Sequence, residues 1–226
     1  MTATSSPGTG VQGWAHGGRA AAVRRALKRA LDVVGAVLLL VVVAPLLLGA
    51  ALAIRVSSPG PAVFRQVRLG RGGRPFVMLK LRTMQHGCPD TEHRAYVRAL
   101  LAGEARPDDG LFKLQGDTRI TRVGAVLRRT SMDELPQLWN VLRGHMSLVG
   151  PRPALPYEVE MFPPWAHRRF EVRPGVTGLW QVSGRNRLTM LEGLALDVQY
   201  VERHGLLPDV AILLRTVGAV LGRSAR

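Results

Sequence analysis

Between Val33 and Ile54 run 22 consecutive residues without a formal charge. As a helix rising 1.5 Å per residue this segment reaches about 33 Å, enough to cross the hydrocarbon core of a bilayer. Pro45 interrupts it, lacking an amide hydrogen and crowding the preceding turn. A bend there predicts arms of roughly 18 and 13 Å, each reaching about mid-bilayer. Ala62–Leu69 and Pro75–Leu81 are β-prone and separated by Gly70-Arg71-Gly72-Gly73, which predicts a hairpin. Leu135, Leu138, Trp139 and Leu142 then recur at helical spacing, predicting one buried helical face. Val210, Ile212, Leu213, Leu214, Val217, Val220 and Leu221 predict a last helix with a broad apolar face, suited either to a membrane surface or to core packing.

These elements imply a mobile tail over residues 1–22, rich in Gly, Ser, Thr and Ala. A membrane segment over 23–57 and a catalytic or binding domain over 58–226 follow it. A cleaved signal peptide competes for the apolar run, because Arg24, Arg25, Lys28 and Arg29 precede it. The run exceeds the usual apolar length of about 7–15 residues, which favours a retained segment.

Charge refines the topology. Arg19, Arg24, Arg25, Lys28 and Arg29 precede the run, while Arg55, Arg65, Arg68, Arg71 and Arg74 follow it. A spanning helix leaves most of its positive charge on the cytoplasmic side, so these matched flanks favour a re-entrant helix with both ends there. An ordinary span that tolerates its proline is the alternative.

The whole chain carries 31 Lys and Arg against 16 Asp and Glu, a formal charge of +15, which favours an anionic partner. Aromatic residues make up 5% of the chain and no nucleic-acid motif occurs, so few stacking platforms exist for single strands. Nucleic acid is therefore not the expected partner. Cys88 is the lone cysteine, which excludes an intrachain disulfide and fits a reducing compartment. His86, Cys88 and His93 match no zinc spacing, and no P-loop occurs. Asp90, Glu92, Glu104, Asp108 and Asp109 gather in what reads as a solvated insertion.

One acidic pair stands out. Asp133 and Glu134 follow Arg128-Arg129-Thr130-Ser131-Met132, and Ser131 with Glu134 forms an S-x-x-E capping box before the apolar helix. Dipole stabilisation alone explains acidic residues at such a position. The same geometry also suits phosphate chemistry, because free amides and positive potential there would bind phosphate beside a carboxylate. Asp133 could then attack phosphorus, with its neighbour holding a divalent cation. Arg119, Arg122, Arg128, Arg129 and Arg152 are available to offset repulsion between carboxylate and phosphate. The two readings are physically compatible.

With these motifs in hand, the chain resembles the bacterial sugar transferase family, the monotopic phosphoglycosyl transferases that load phosphosugars onto polyprenyl phosphate. The resemblance rests on an ordered set. It begins with Lys28-Arg29, then Phe64, Gln66, Arg68 and Gly70, then Lys80-Leu81-Arg82-Thr83-Met84. Asp117-Thr118-Arg119-Ile120-Thr121, Asp133-Glu134-Leu135-Pro136-Gln137, Ser147 to Pro153 and Arg173 to Arg185 follow.

The resemblance implies an α+β fold: a mainly helical, compact catalytic domain with a small β-hairpin, anchored by an N-terminal re-entrant membrane helix and interfacial amphipathic helices. It implies that Asp133 attacks the sugar-bearing phosphate of a UDP-sugar, that UMP leaves, and that polyprenyl (undecaprenyl) phosphate takes the phosphosugar. Glu134 would hold Mg²⁺. Arg128 and Arg152 would lie near phosphate, as would Lys80 and Arg82, while Arg173, Gln181 and Arg185 would line a nucleotide-sugar loop. Asp197 and Tyr200 match a C-terminal signature without an assigned role. The implied place is the cytoplasmic face of a bacterial inner membrane, in contact with lipid. The implied process is the first membrane step of exopolysaccharide, O-antigen, capsule or glycoprotein glycan assembly. Oligomeric state does not follow from it. Ala44-Pro45 replaces the Ser-Pro common at the helix break, and His145 replaces a commonly acidic residue. Two other readings make distinct predictions. A non-catalytic, membrane-anchored basic module binding nucleic acid or acidic lipid would not need Asp133, and a glycosyltransferase moving the sugar without its phosphate would release UDP.

Overall fold

The computed structural model describes residues 14–88, 91–102, 117–184 and 188–224. Helix α1 runs from Trp14 to Ser57 with Pro45 inside it. It therefore starts within the stretch read as a tail, where Ala20, Ala21, Ala22 and Val23 are compatible with helix and no proline intervenes. Strands β1 (Val63–Leu69) and β2 (Pro75–Leu81) pair antiparallel, from Val63 opposite Leu81 to Leu69 opposite Pro75. This is the predicted hairpin, closed by a 3-10 turn at Arg71–Gly73 in which Gly72 and Gly73 take positive φ.

Helices α2 (Thr91–Ala102), α3 (Arg122–Thr130) and α4 (Gln137–Leu142) follow. Strand β3 (Ser147–Val149) then pairs in parallel with β4 (Gly175–Thr177), with α5 (Pro156–Val159) and a 3-10 segment (Pro164–Glu171) between them. Periodicity gave no sign of these strands, since both are three residues long and β3 is buried throughout. Helices α6 (Leu179–Val182), α7 (Met190–Arg203) and α8 (Leu206–Ser224) complete the chain.

The main core gathers Ala36 of α1, Phe76 and Met78 of β2, Leu138 and Val141 of α4, Leu148 and Val149 of β3, Tyr200 of α7 and Ile212 of α8. A second cluster joins Val97 and Leu100 of α2 to Phe162, Trp180, Met190 and Leu194. The predicted face of α4 is rotated: Leu138 and Val141 are buried with Gln137 and Asn140, whereas Trp139 is exposed with the Arg143 guanidinium 5.5 Å above its ring. Asn140 explains the rotation. Its Nδ2 donates to Val77 O (2.7 Å) and its Oδ1 accepts from Leu79 N–H (3.0 Å), so the amide completes the edge of β2 as another strand would.

Both ends of the apolar part of α1 are tied to this domain. Lys28 Nζ meets Asp209 Oδ2 at 2.5 Å, Arg29 donates to Val141 O (2.7 Å) and Leu142 O (2.9 Å), and buried Asp32 accepts from Ser147 Oγ and Leu148 N–H. Further along, Ala50 and Ile54 pack against Leu81 and Leu127. Between these anchors large apolar side chains stand out, Val42 being 74% exposed. Helix α8 divides likewise, with Ile212 in the core and Leu207, Val210, Leu214 and Val217 exposed.

Candidate active site

Helix α3 is capped at its start by the Thr121 hydroxyl, which accepts from Gly124 N–H at 2.9 Å. It ends at Ser131, whose left-handed backbone (φ 58°, ψ 17°) is the only positive φ on a non-glycine residue among the described residues. Met132–Glu134 then forms a 3-10 turn, and α4 begins only at Gln137, behind Pro136. This overturns the capping box. Ser131 makes no side-chain cap, because it terminates the preceding helix instead of opening the next one. The left-handed geometry costs roughly 1–2 kcal/mol at a residue bearing a Cβ, and it reverses the chain two residues before Asp133.

Asp133 lines a cavity of about 270 Å³. One wall is the hairpin face of Phe64, Gln66, Arg68 and Lys80, a second is Thr83 to Cys88, and Asp117, Arg119, Arg128 and Arg152 complete it. Thr83 to Gln85 is held to the segment before α3: Thr121 N–H donates to Thr83 O (3.1 Å) and Gln85 N–H to Arg119 O (2.8 Å).

The electrostatics are those of a carboxylate withdrawn from water among cations. Burial pushes the Asp133 carboxyl above its ordinary pKa, Lys80 and Arg128 pull it back, and Glu134 raises it. Burial likewise lowers the Lys80 ammonium, opposed by Glu134, whose Oε1 lies 3.4 Å from Lys80 Nζ. Arg128 Nε donates to Thr83 Oγ1 at 3.0 Å. Arg119 grips Asp117 through Nε (2.7 Å) and Nη2 (2.8 Å), which holds that carboxyl below its ordinary pKa. Arg68 donates to Gln66 Oε1 and Pro153 O, and burial brings its pKa down to about 10. Six cationic side chains, Arg68, Lys80, Arg82, Arg119, Arg128 and Arg152, thus share the cavity lining with Asp117 and the partly buried Asp133, an arrangement able to accept a multiply charged phosphate.

Among the described residues no group of three or more His, Cys, Asp or Glu side chains is placed to hold a metal ion. Magnesium bound through one or two carboxylates needs no such group, since substrate phosphates and water complete its octahedron. Of the two adjacent carboxylates, Asp133 lines the cavity, whereas Glu134 does not and has Lys80 Nζ 3.4 Å from its Oε1.

Residues 23–223 match the family described as bacterial sugar transferase. The chain belongs to the bacterial sugar transferase family. It is 48% identical over 203 residues to the UDP-glucose:undecaprenyl-phosphate glucose-1-phosphate transferase of Caulobacter vibrioides, covering 86% of this chain and 69% of that protein. It is 44% identical over 200 residues to the UDP-galactose-lipid carrier transferase of Erwinia amylovora, covering 88% and 41%. The undecaprenyl-phosphate galactose phosphotransferase of Salmonella typhimurium is 41% identical over 203 residues, covering 88% and 41%. The chain thus spans about two fifths of the length of the latter two relatives.

For this sugar transferase family member, the fold brings Asp133, Lys80, Arg82, Arg128 and Arg152 to one cavity, with Glu134 behind it on Lys80. Arg82 is committed elsewhere, donating through Nη1 to Pro59 O (2.6 Å) and through Nη2 to Ser58 O (2.9 Å), which ties the end of α1 to β2. Arg173 and Gln181 do not line the cavity. The charges acting on Arg173 are Arg29, Arg71 and Asp32, because β4 pairs with β3 and draws the chain before it toward α1. Gln181 lies on α6 beside Gly178. Arg185 lies outside the described residues, as do Asp90, Glu104, Asp108 and Asp109 of the acidic insertion. Arg68 and Asp117 were not singled out as site residues, and nothing in their spacing could have done so. Hairpin register places Arg68 on the same face as Lys80, and the Met84–Ile120 bridge brings Asp117 alongside.

Proposed function

We propose that this chain is a phosphoglycosyl transferase that moves a sugar 1-phosphate from a UDP-sugar to undecaprenyl phosphate through a covalent intermediate on Asp133. The observation that carries this reading is the Asp133 carboxylate facing a cavity ringed by Lys80, Arg68, Arg119, Arg128 and Arg152. The activities printed for the Caulobacter and Salmonella relatives accord with it.

An Asp133 Oδ attacks the sugar-bearing phosphorus. A P–O bond forms, the bond to the uridylyl phosphate breaks, and UMP leaves carrying the electron pair. An oxygen of the lipid phosphate then attacks the same phosphorus and returns Asp133 as a free carboxylate, so no net proton or electron is consumed. Arg128 and Arg152 neutralise the reacting phosphate, and the partial burial of Asp133 leaves its carboxylate poorly solvated and readier to attack. Lys80 opposes the upward shift that burial imposes on the Asp133 carboxyl. Mg²⁺, held by Glu134 together with substrate phosphate, would supply Lewis-acid charge neutralisation.

The membrane helix suits a lipid acceptor. Lys28 and Ile54 bracket the apolar run, and a simple span would separate them by about 30 Å of hydrocarbon. Both instead pack on one domain, which supports a helix that enters and leaves by the same face, the cytoplasmic one by its flanking charge. Mixing the native chain with UDP-sugars, undecaprenyl phosphate and Mg²⁺ tests the reaction. UMP is the expected product, and Asp133→Asn should abolish its release while remaining folded. Release of UDP, or UMP release that survives the substitution, refutes the covalent phosphosugar route.

A further inference from the structure

Arg152 is held from several sides by residues that lie away from the cavity. Its Nη1 lies 3.3 Å from Glu158 Oε2 and 3.5 Å from Oε1. Glu158 is 0% exposed, accepts from Leu155 N–H at 2.8 Å, and has Arg68 Nη1 at 3.9 Å. One buried carboxylate therefore stands behind two of the arginines that face Asp133. The main chain of Arg152 is gripped separately: Arg169 Nη2 donates to Arg152 O (2.5 Å) and to Asp197 Oδ2 (2.6 Å). Burial pushes the Asp197 carboxyl up to about 6, with Arg169, Arg152 and the Arg152 amide opposing the rise. Arg169 and Asp197 are themselves buried, and they come from the 3-10 segment Pro164–Glu171 and from α7.

Burying Glu158, Arg169 and Asp197 is costly, and an apolar core of equal volume would be at least as stable. What such a set supplies is a fixed direction for an arginine that would otherwise lose rotamer freedom on meeting substrate. We propose that Glu158, Arg169 and Asp197 are positioning residues that hold Arg152 aimed at the phosphate attacked by Asp133. Asp197, which the C-terminal motif left without a role, is the main-chain half of this device, and Glu158 is the side-chain half. The inference rests on the phosphoglycosyl transferase reading above.

A double-mutant cycle tests it, using full-length protein in detergent with kcat and KM for the UDP-sugar measured separately. Glu158→Gln keeps the volume and the acceptor for Leu155, and Asp197→Asn keeps the shape at Arg169. Each is expected to lower kcat/KM by roughly tenfold or more, as a misdirected Arg152 would. With Arg152→Ala already present, each should lower it by less than about twofold further, because a group acting only through Arg152 has nothing left to position. Asp197→Asn leaves Arg169 facing a neutral amide, so Glu158→Gln carries the test if the former unfolds. Losses that multiply in full with that of Arg152→Ala, or native kcat/KM in Glu158→Gln, overturn the positioning role alone. Native activity in Arg152→Ala overturns both this role and the placement of Arg152 at the substrate.

Discussion

Gly124 sits in the first turn of α3, and a Cβ built on it would lie 2.0 Å from Thr83 O, 2.6 Å from Thr83 C and 2.7 Å from Thr83 Cα. Helix propensity favours Ala over Gly by about 1 kcal/mol. Contact with a main chain overrides it, because no rotamer change relieves the clash. Restoring ordinary contact, which begins at 3.4 Å, requires α3 and Thr83 to part by roughly 1.4 Å. That movement breaks the Thr121 N–H to Thr83 O bond and pulls Arg128 Nε from Thr83 Oγ1. It also displaces the Ser131 reversal that aims Asp133. Overpacking of this kind costs about 1–3 kcal/mol, and a misplacement near 1 Å costs about a hundredfold in rate. Gly124→Ala is therefore expected to lose about a hundredfold in kcat/KM for UMP release and to melt at lower temperature. Gly218→Ala on α8, where an added Cβ meets nothing within 4 Å, serves as the control and should be neutral or stabilising by up to about 1 kcal/mol. Native kcat/KM in Gly124→Ala would refute the claim that the α3–Thr83 contact sets the site.

Three other outcomes follow from the same geometry. Asp133 must be ionised to attack, burial already raises its pKa, and Lys80 is the largest influence lowering it, so Lys80→Met should move the acid limb of the kcat/KM profile to higher pH. A limb that stays put or moves down contradicts this. Asn140→Ala leaves Leu79 N–H and Val77 O without their partner, each worth about 1–3 kcal/mol when buried. Chemical denaturation in detergent should register a loss of about 2–4 kcal/mol, and less than about 1 kcal/mol would mean that β2 finds other partners. Arg82→Lys cannot reach both Ser58 O and Pro59 O as the guanidinium fork does, so it should lower the melting temperature while leaving KM for the UDP-sugar near native. A raised KM at unchanged melting temperature would make Arg82 a substrate ligand after all.

The hairpin was legible to within one residue, since β-prone composition and a glycine-rich turn are local properties of β1 and β2. The last helix was legible through its apolar positions, although it begins at Leu206, upstream of the segment those positions mark. The turn at Asp133 was not. Its residues match a capping box as well as any helix start, and the left-handed Ser131 found instead closes α3, its N–H donating to Arg128 O. Arg173 and Gln181 were expected to line a nucleotide-sugar loop beside the phosphate site of Arg152, yet of the three only Arg152 lines the cavity.

The sequence by itself determined a long apolar helix, a hairpin, an acidic pair among basic residues and membership of a family, because these depend on composition, period and order along the chain. Only the tertiary structure decided which cations face Asp133 and which brace the fold. Arg68, Arg82, Arg152 and Arg169 have the same side chain, and their tasks diverge because each is placed against a different carbonyl or carboxylate from a distant part of the chain.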